Sequence, residues 1–279
     1  MRNQVIAALA AGAIVALAAE AGAQTRPAAP TNRGSNASWL PCPRCLTDEE
    51  QAAAAEKAKA VQFNARDLSG LWGLGTNGFN LSQNAIPPMT PWAQAKYAAA
   101  KPGLGRRGVP LGNDPMLICD PLGYPRSFTY NYGMDVVQTP TRMFQFFEYD
   151  HIWRTIYTDG RSLPDDPEPR WYGYPVGRWD GDTFVVESVG YDERSWLDQD
   201  GHPHSDQMRI TERYRRTGAD TMEVNLTIDD PMAYTKPWVT NASLRLNVGG
   251  EMGEQFCVPS EEATYKKIMR DPAGGAAPQ

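Results

Sequence analysis

Two sharp β-hairpins between Trp171 and Trp238 constrain the fold of this chain more than any other feature. Asp180-Gly181 is typical of a tight turn, because both residues tolerate the positive φ angles that two-residue hairpin loops require. The segments that flank each turn have the composition of short strands bounded by turn residues. The four predicted strands are Tyr174–Asp180, Asp182–Val189, Met208–Thr217 and Thr221–Asp230. This part of the chain therefore predicts an antiparallel sheet.

Further strand patterns lie on both sides of these hairpins and bring the total to about nine short strands, the number expected of a barrel or sandwich. Strands do not alternate with helices, which disfavours a doubly wound parallel sheet. We expect a mostly β fold, an antiparallel β-barrel with a cavity for one small ligand. A two-sheet β-sandwich is the alternative. The additional predicted strands are Leu68–Trp72, Met134–Thr139, Arg142–Tyr149, Ile152–Thr158, Val239–Asn247 and Gly253–Val258.

Two N-terminal helices precede most of the strands. Thr47-Asp-Glu-Glu50 has the pattern of a capping box, and it predicts a surface helix within residues 47–66. Thr90, followed by Pro91, predicts the start of a shorter helix that ends near Ala100.

The first residues resemble the three parts of a secretory signal peptide. Arg2 is positive, Val5–Ala19 is apolar, and Ala21-Gly-Ala23 matches a signal-peptidase site. The apolar stretch is short for a membrane span. We expect cleavage near Ala23 and a bacterial protein that is periplasmic or secreted and has no membrane span. The predicted organisation is a signal peptide (1–23), a disordered linker (24–46), a surface helix (47–66), a single β-barrel domain (67–265) and a flexible tail (266–279).

Four cysteines in an exported chain indicate disulfide bonds. Four thiols allow three pairings, which the sequence does not distinguish. We favour Cys119 with Cys257, because each follows an apolar residue where an element ends. Cys42 and Cys45 would then form a local bridge within the linker.

The three histidines offer two kinds of chemistry. His202 and His204 lie two residues apart, so in extended chain their rings project to the same side. Together with His151 they could form the three-histidine set of a catalytic zinc site, or hold another divalent transition metal. Without a metal, a histidine beside Asp198 or Arg154 could act as a general acid or base. The structural alternative is that Gly201–Ser205 is a turn in which His204 or Ser205 caps backbone groups of the next strand.

Aromatic side chains predict a pocket for an apolar or ring-bearing ligand. The candidate ligand-binding residues are Trp153, Trp171, Tyr174, Trp179 and Trp196. The net charge of −6 argues against non-specific nucleic-acid binding. We therefore expect a monomeric small-molecule binding protein. The alternative is an enzyme at the same pocket, either a metal-dependent hydrolase or a histidine-based lyase or isomerase.

Several short motifs resemble a large family of exported bacterial proteins that are generally described as hypothetical. The matching runs are Gly177–Glu187, Trp196–Asp198, Gly201–Ser205, Glu212–Arg216, Asp229–Pro231 and Tyr234–Trp238. The resemblance covers roughly Leu68 to Glu261 and implies an exported β-rich domain, without implying an activity. Gly70-Leu-Trp72 also resembles the first strand of lipocalin-like (calycin-like) barrels, in which the tryptophan closes one end.

Overall fold

The computed structural model describes residues 49, 52, 53, 56, 63–74, 81, 86–100, 112–130 and 132–273. Within these residues, nine strands form one closed barrel whose order follows the chain. They are β1 (Gly70–Leu74), β2 (Met134–Gln138), β3 (Arg142–Phe147), β4 (Trp153–Tyr157), β5 (Tyr174–Asp180), β6 (Thr183–Val189), β7 (Arg209–Arg216), β8 (Thr221–Asp229) and β9 (Trp238–Leu246). β1 closes the barrel by pairing with both β2 and β9. The predicted β-barrel is thus confirmed, and the alternative sandwich is wrong because one continuous sheet contains all nine strands.

The helices of the described residues are short. They are α1 (Pro91–Ala100), a 3₁₀ helix (Pro115–Ile118), α2 (Arg126–Thr129), α3 (Pro259–Tyr265), a π-helix (Lys266–Arg270) and α4 (Asp271–Ala273). The Thr90 hydroxyl caps α1 by accepting a hydrogen bond from the Ala93 N–H at 3.3 Å. None of these described helices has the length and apolar character needed to cross a membrane.

Several predicted segments fall partly or wholly outside the described residues. The predicted signal peptide (1–23) and the linker (24–46), with Cys42 and Cys45, lie outside them. In the predicted surface helix (47–66), the four described residues before Phe63 are helical, whereas residues 63–66 are not. In the predicted tail (266–279), residues 266–273 are helical, and the rest lies outside the described part.

One pair of neighbouring strands is parallel, so the predicted antiparallel barrel has a mixed strand orientation. β4 and β5 pair in parallel through Tyr157 and Val176. Parallel neighbours require a crossover of roughly a dozen residues or more. Residues 158–173, which include the acidic, proline-rich run Pro164–Pro169, form this crossover and return the chain to the end of the barrel where β4 begins.

The predicted strand at Gly253–Val258 is also absent from the sheet. Its main chain forms an isolated bridge between Gln255 and Tyr149. Side chains of the β3–β4 connection hold this segment instead. Glu148 accepts a hydrogen bond from the Gly253 N–H at 2.7 Å, and Asp150 accepts one from the Cys257 N–H at 2.8 Å. These side-chain contacts take the place of a strand ladder.

The preferred disulfide pairing is confirmed. Cys119 and Cys257 are bonded, with their Cα atoms 5.4 Å apart. The bond connects the end of the 3₁₀ helix to the segment that precedes α3.

Side chains fill the interior of the barrel. On β7, Ile210, Glu212 and Tyr214 are buried, whereas Arg209, Arg213 and Arg215 at alternating positions are exposed, as the two-residue period of a strand requires. The apolar inward-facing residues of the strands belong to one hydrophobic cluster. These side chains occupy the part of the interior in which the sequence predicted a ligand-sized hollow.

The segment between the 3₁₀ helix and β2 contributes to this filling. Tyr124 and Phe128 are buried, and the Tyr124 ring lies 6.4 Å from the ring of Phe147. The Tyr124 hydroxyl reaches Glu212 on β7 at 2.6 Å. A side chain from outside the sheet thus occupies the middle of the barrel.

Candidate ligand-binding site

The closed barrel has its shortest strand pairing at the parallel junction of β4 and β5. β4 and β5 share a single residue pair, Tyr157 with Val176. Pro175, the residue before Val176, has no N–H to donate to a neighbouring strand. The ladder therefore ends there, and the two strands separate toward Trp153 and Tyr172.

The separation leaves main-chain groups of β4 without a strand partner. The Ile152 carbonyl accepts a hydrogen bond from the Phe147 N–H at 2.8 Å, and the Thr158 N–H donates to Thr141 at 2.9 Å. In an antiparallel pair, the main-chain groups of alternate residues point to opposite sides. Because Ile152 and Thr158 bond toward β3, the main-chain groups of Trp153 and Thr155 point toward the gap between β4 and β5.

The gap between β4 and β5 forms part of a cleft of about 550 Å³, which we call the seam cleft. This volume is in the range of small-molecule sites. Its walls consist largely of aromatic side chains, and the Trp153 side chain is 61% exposed at the rim. The aromatic lining residues are Trp153, Tyr157, Trp171, Tyr172 and Tyr174.

The charged residues that line the seam cleft are all arginines, namely Arg154, Arg161 and Arg170. The Arg161 guanidinium lies 3.6 Å from the centroid of the Tyr157 ring and binds Asp159 at 2.6 Å. The Arg170 guanidinium lies 4.0 Å from the centroid of the Tyr174 ring. Two cations are thus stacked on tyrosine faces at the mouth of the cleft.

Arg154 connects the wall of the seam cleft to the barrel interior. Its side chain is buried and forms a two-point ion pair with Glu212, at 2.8 Å and 3.0 Å. It also donates to Ser188 at 3.1 Å and to Gln145 at 3.3 Å. Burial alone would lower the pKa of Arg154, but the adjoining Glu212 carboxylate raises it well above its usual value. Arg154 therefore remains charged.

Two tyrosines complete the environment of Glu212. The hydroxyls of Tyr124 and Tyr214 donate to its Oε2 at 2.6 Å and 2.5 Å. Burial, followed by the charge of Glu212, raises the pKa of both tyrosines well above the usual value. They keep their protons and act as donors. This network contributes to the structure of the barrel rather than to an open site.

His204 forms a buried pair with Ser195. Its Nε2 lies 2.8 Å from Ser195 Oγ, and its Nδ1 lies 3.1 Å from the Ser205 carbonyl. The carbonyl can only accept, so Nδ1 carries the proton and Nε2 accepts from Ser195. Burial lowers the pKa of His204, which favours the neutral ring. Gly123 covers the pair, since a Cβ at that position would lie 2.6 Å from Ser195 Oγ.

His202 and Asp198 stabilise a turn. The His202 Nδ1 lies 2.7 Å from Asp198 Oδ2, and both side chains are buried. The other oxygen of Asp198 accepts hydrogen bonds from the main-chain N–H groups of Asp200 and His202. The His202 ring is stacked on Tyr97 at 5.1 Å and meets the edge of Trp238 at 5.2 Å. These contacts hold the His202 ring within the buried connection before β7.

The three histidines do not converge on one metal site. His151 is exposed, with its Nε2 2.9 Å from the Gly253 carbonyl and its ring 4.4 Å from that of Phe256. The potential ligand atoms that lie within 4.8 Å of one another in the described chain belong to Asp198, Asp200 and His202. The predicted zinc or other divalent metal site at His151, His202 and His204 is therefore not assembled by this arrangement.

The structure divides the predicted ligand-binding residues into two groups. Trp153, Trp171 and Tyr174 line the seam cleft. Trp179 instead lies 5.1 Å from the ring of Phe184, and Trp196 lies 5.7 Å from the guanidinium of Arg126.

Sequence reasoning missed most residues of the seam cleft, among them the aromatic and charged side chains of Tyr157, Arg161, Arg170 and Tyr172. The sequence contained two signals for this cleft. The long proline-rich connection before β5 is typical of a crossover between parallel strands, and Pro175 interrupts the hydrogen-bonding pattern of the strand that follows.

Comparison with protein-family models, with curated proteins and with solved structures found no match for this chain.

Proposed function

We propose that this protein binds a small aromatic molecule in the seam cleft. The observation that carries the proposal is the concentration of five aromatic side chains around one cleft, which includes the widely exposed Trp153. An exposed tryptophan at the rim of a concave apolar site is typical of a binding surface. The main-chain groups of Trp153 and Thr155, which point toward the gap beyond the β4–β5 pair, supply the few polar contacts that orient a ligand in such sites.

The proposal retains two predictions from the sequence. Export through the segment 1–23, with a periplasmic or secreted location and a monomeric state, remains a prediction. The lipocalin-like character also remains one, and it is supported by Trp72, which is buried on β1 and donates from Nε1 to the Leu68 carbonyl at 2.8 Å.

Enzymatic chemistry has less support than binding. The residues that line the seam cleft include neither a histidine nor Asp198. The Ser195–His204 pair is buried and covered by Gly123. We therefore propose binding as the function.

A neutral aromatic probe tests the proposal. Titration calorimetry with 2-naphthylmethanol should detect binding to the purified protein, and Trp171→Ala should weaken it by about tenfold, through the loss of stacking and burial. Trp179→Ala is the matched control, because Trp179 is also a tryptophan, located on β5, but lies outside the seam cleft. Equal losses in the two variants, or no binding by the original protein, would refute the proposal.

A further inference from the structure

The charged residues that line the seam cleft all have one sign. Its lining contains three arginines and no aspartate or glutamate. The chain as a whole has a net charge of −6, so the composition of this lining departs from that of the molecule. A cleft lined by one sign of charge concentrates ligands of the opposite sign.

The three arginines differ in whether their charge is already neutralised. Arg154 pairs with Glu212 at 2.8 Å, and Arg161 pairs with Asp159 at 2.6 Å. For Arg170, no carboxylate of the described residues lies within 4.0 Å of the guanidinium. Arg170 is therefore the lining cation with charge available to a ligand.

The main chain of Arg170 is fixed in position. Its N–H donates to the Gly190 carbonyl at 3.0 Å, and its carbonyl accepts from the Asp192 N–H at 3.0 Å. The guanidinium rests on the face of Tyr174. A planar guanidinium stacked in this way presents its N–H edge sideways, the geometry that binds a carboxylate through two hydrogen bonds.

On the basis of the proposed function, we infer that the ligand is an aromatic carboxylate. Its ring lies among the aromatic side chains of the seam cleft, and its carboxylate binds the guanidinium of Arg170. Arg161 forms an ion pair with Asp159 and therefore attracts the carboxylate of the ligand more weakly, at the same mouth of the seam cleft. The main-chain groups of Trp153 and Thr155 remain available for a polar substituent on the ring.

Three probes that share one ring system test this inference, namely 2-naphthoate, 2-naphthylmethanol and 2-naphthylmethylammonium. Calorimetry should show that naphthoate binds at least about tenfold more tightly than the alcohol, as expected for a charge-assisted hydrogen bond. The ammonium probe should bind most weakly. The advantage of naphthoate over the alcohol should decrease between low and high salt.

Variants then locate the source of this selectivity. In Arg170→Gln the ratio of naphthoate to alcohol affinity should fall to near one, and in Arg170→Lys it should be intermediate, because lysine keeps the charge but loses the fork of donors. Arg178→Gln is the control. Arg178 is an exposed arginine on β5 that pairs with Glu187 and lies outside the seam cleft, and its removal should leave the ratio unchanged.

The outcomes separate this inference from the proposed function. If the alcohol binds as tightly as naphthoate, if the ammonium binds most tightly, or if Arg170→Gln leaves the ratio unchanged, the carboxylate inference is wrong and the binding site remains. If none of the three probes binds, the proposed function fails and the inference fails with it.

Discussion

Arg154 and Glu212 form a fully buried ion pair, and each charge depends on the other. Glu212 also receives hydrogen bonds from Tyr124 and Tyr214, and Arg154 donates to Gln145 and Ser188. Loss of one partner from a buried pair leaves an uncompensated charge, which costs much more than the pair contributes. The network is therefore a sensitive point of the barrel.

We predict that Arg154→Met lowers the free energy of unfolding by about 3–5 kcal/mol. The double variant Arg154→Met/Glu212→Gln should lose less than Arg154→Met alone, because the neutral amide removes the stranded charge and its oxygen still accepts from Tyr124 and Tyr214. Urea unfolding followed by circular dichroism measures both values.

The exposed pair Arg245–Asp220, at 3.0 Å, provides the matched control. Arg245→Met should change the free energy of unfolding by less than about 1 kcal/mol, since exposed ion pairs contribute little. A loss in Arg154→Met no larger than in Arg245→Met would contradict the prediction.

The hydrogen-bond partners of His202 and His204 could not be predicted from the sequence. The spacing of His202 and His204 indicated that both rings could face one side, but it contained no information about their partners. The structure places His202 on Asp198 and His204 on Ser195, both within the buried connection before β7. Contacts of this kind depend on three-dimensional packing and are not encoded in local spacing.

Among the elements, the hairpins were predictable because their signals are local. The turn lies at Gly181-Asp182, one residue later than predicted, and pairs Asp180 of β5 with Thr183 of β6; the predicted strand ends agree with the observed ends to within one residue. The β4–β5 pairing was not predictable in the same way. It joins strands separated by the crossover at 158–173, so its direction follows from the closure of the whole barrel.

Pro175 ends the β4–β5 ladder, and we predict that Pro175→Ala partly closes the seam cleft. The new N–H can donate across the gap toward β4, so the strands should pair further and the space for a ligand should decrease. Affinity for 2-naphthylmethanol should fall several-fold. Amide hydrogen exchange at residue 175 should be slow, as expected for a hydrogen-bonded strand.

Pro169→Ala is the control for this prediction, because Pro169 is exposed in the crossover and does not line the seam cleft. It should leave the probe affinity unchanged. Rapid exchange at residue 175 together with unchanged affinity in Pro175→Ala would show that the proline is not what holds the strands apart.

The molecule as a whole depends on a connection between distant parts of the chain. The Cys119–Cys257 disulfide spans 138 residues, and this interval contains β2 to β9. A crosslink over such a long loop stabilises mainly by limiting the unfolded chain, typically by about 2–5 kcal/mol. The sequence indicated this pairing from the positions of the two cysteines, although it did not show that Gly253–Val258 is held by side chains rather than by a strand ladder.

We predict that Cys119→Ser/Cys257→Ser lowers the free energy of unfolding by about 2–5 kcal/mol while the barrel still forms, because the nine-strand sheet closes through β1 and β9 without the disulfide. Urea unfolding at neutral pH, with and without reductant, measures the effect. The reduced original protein should match the double variant, and reductant should leave the double variant unchanged. If the double variant is as stable as the oxidised protein, the side-chain contacts of Glu148 and Asp150 are sufficient to hold the C-terminal segment.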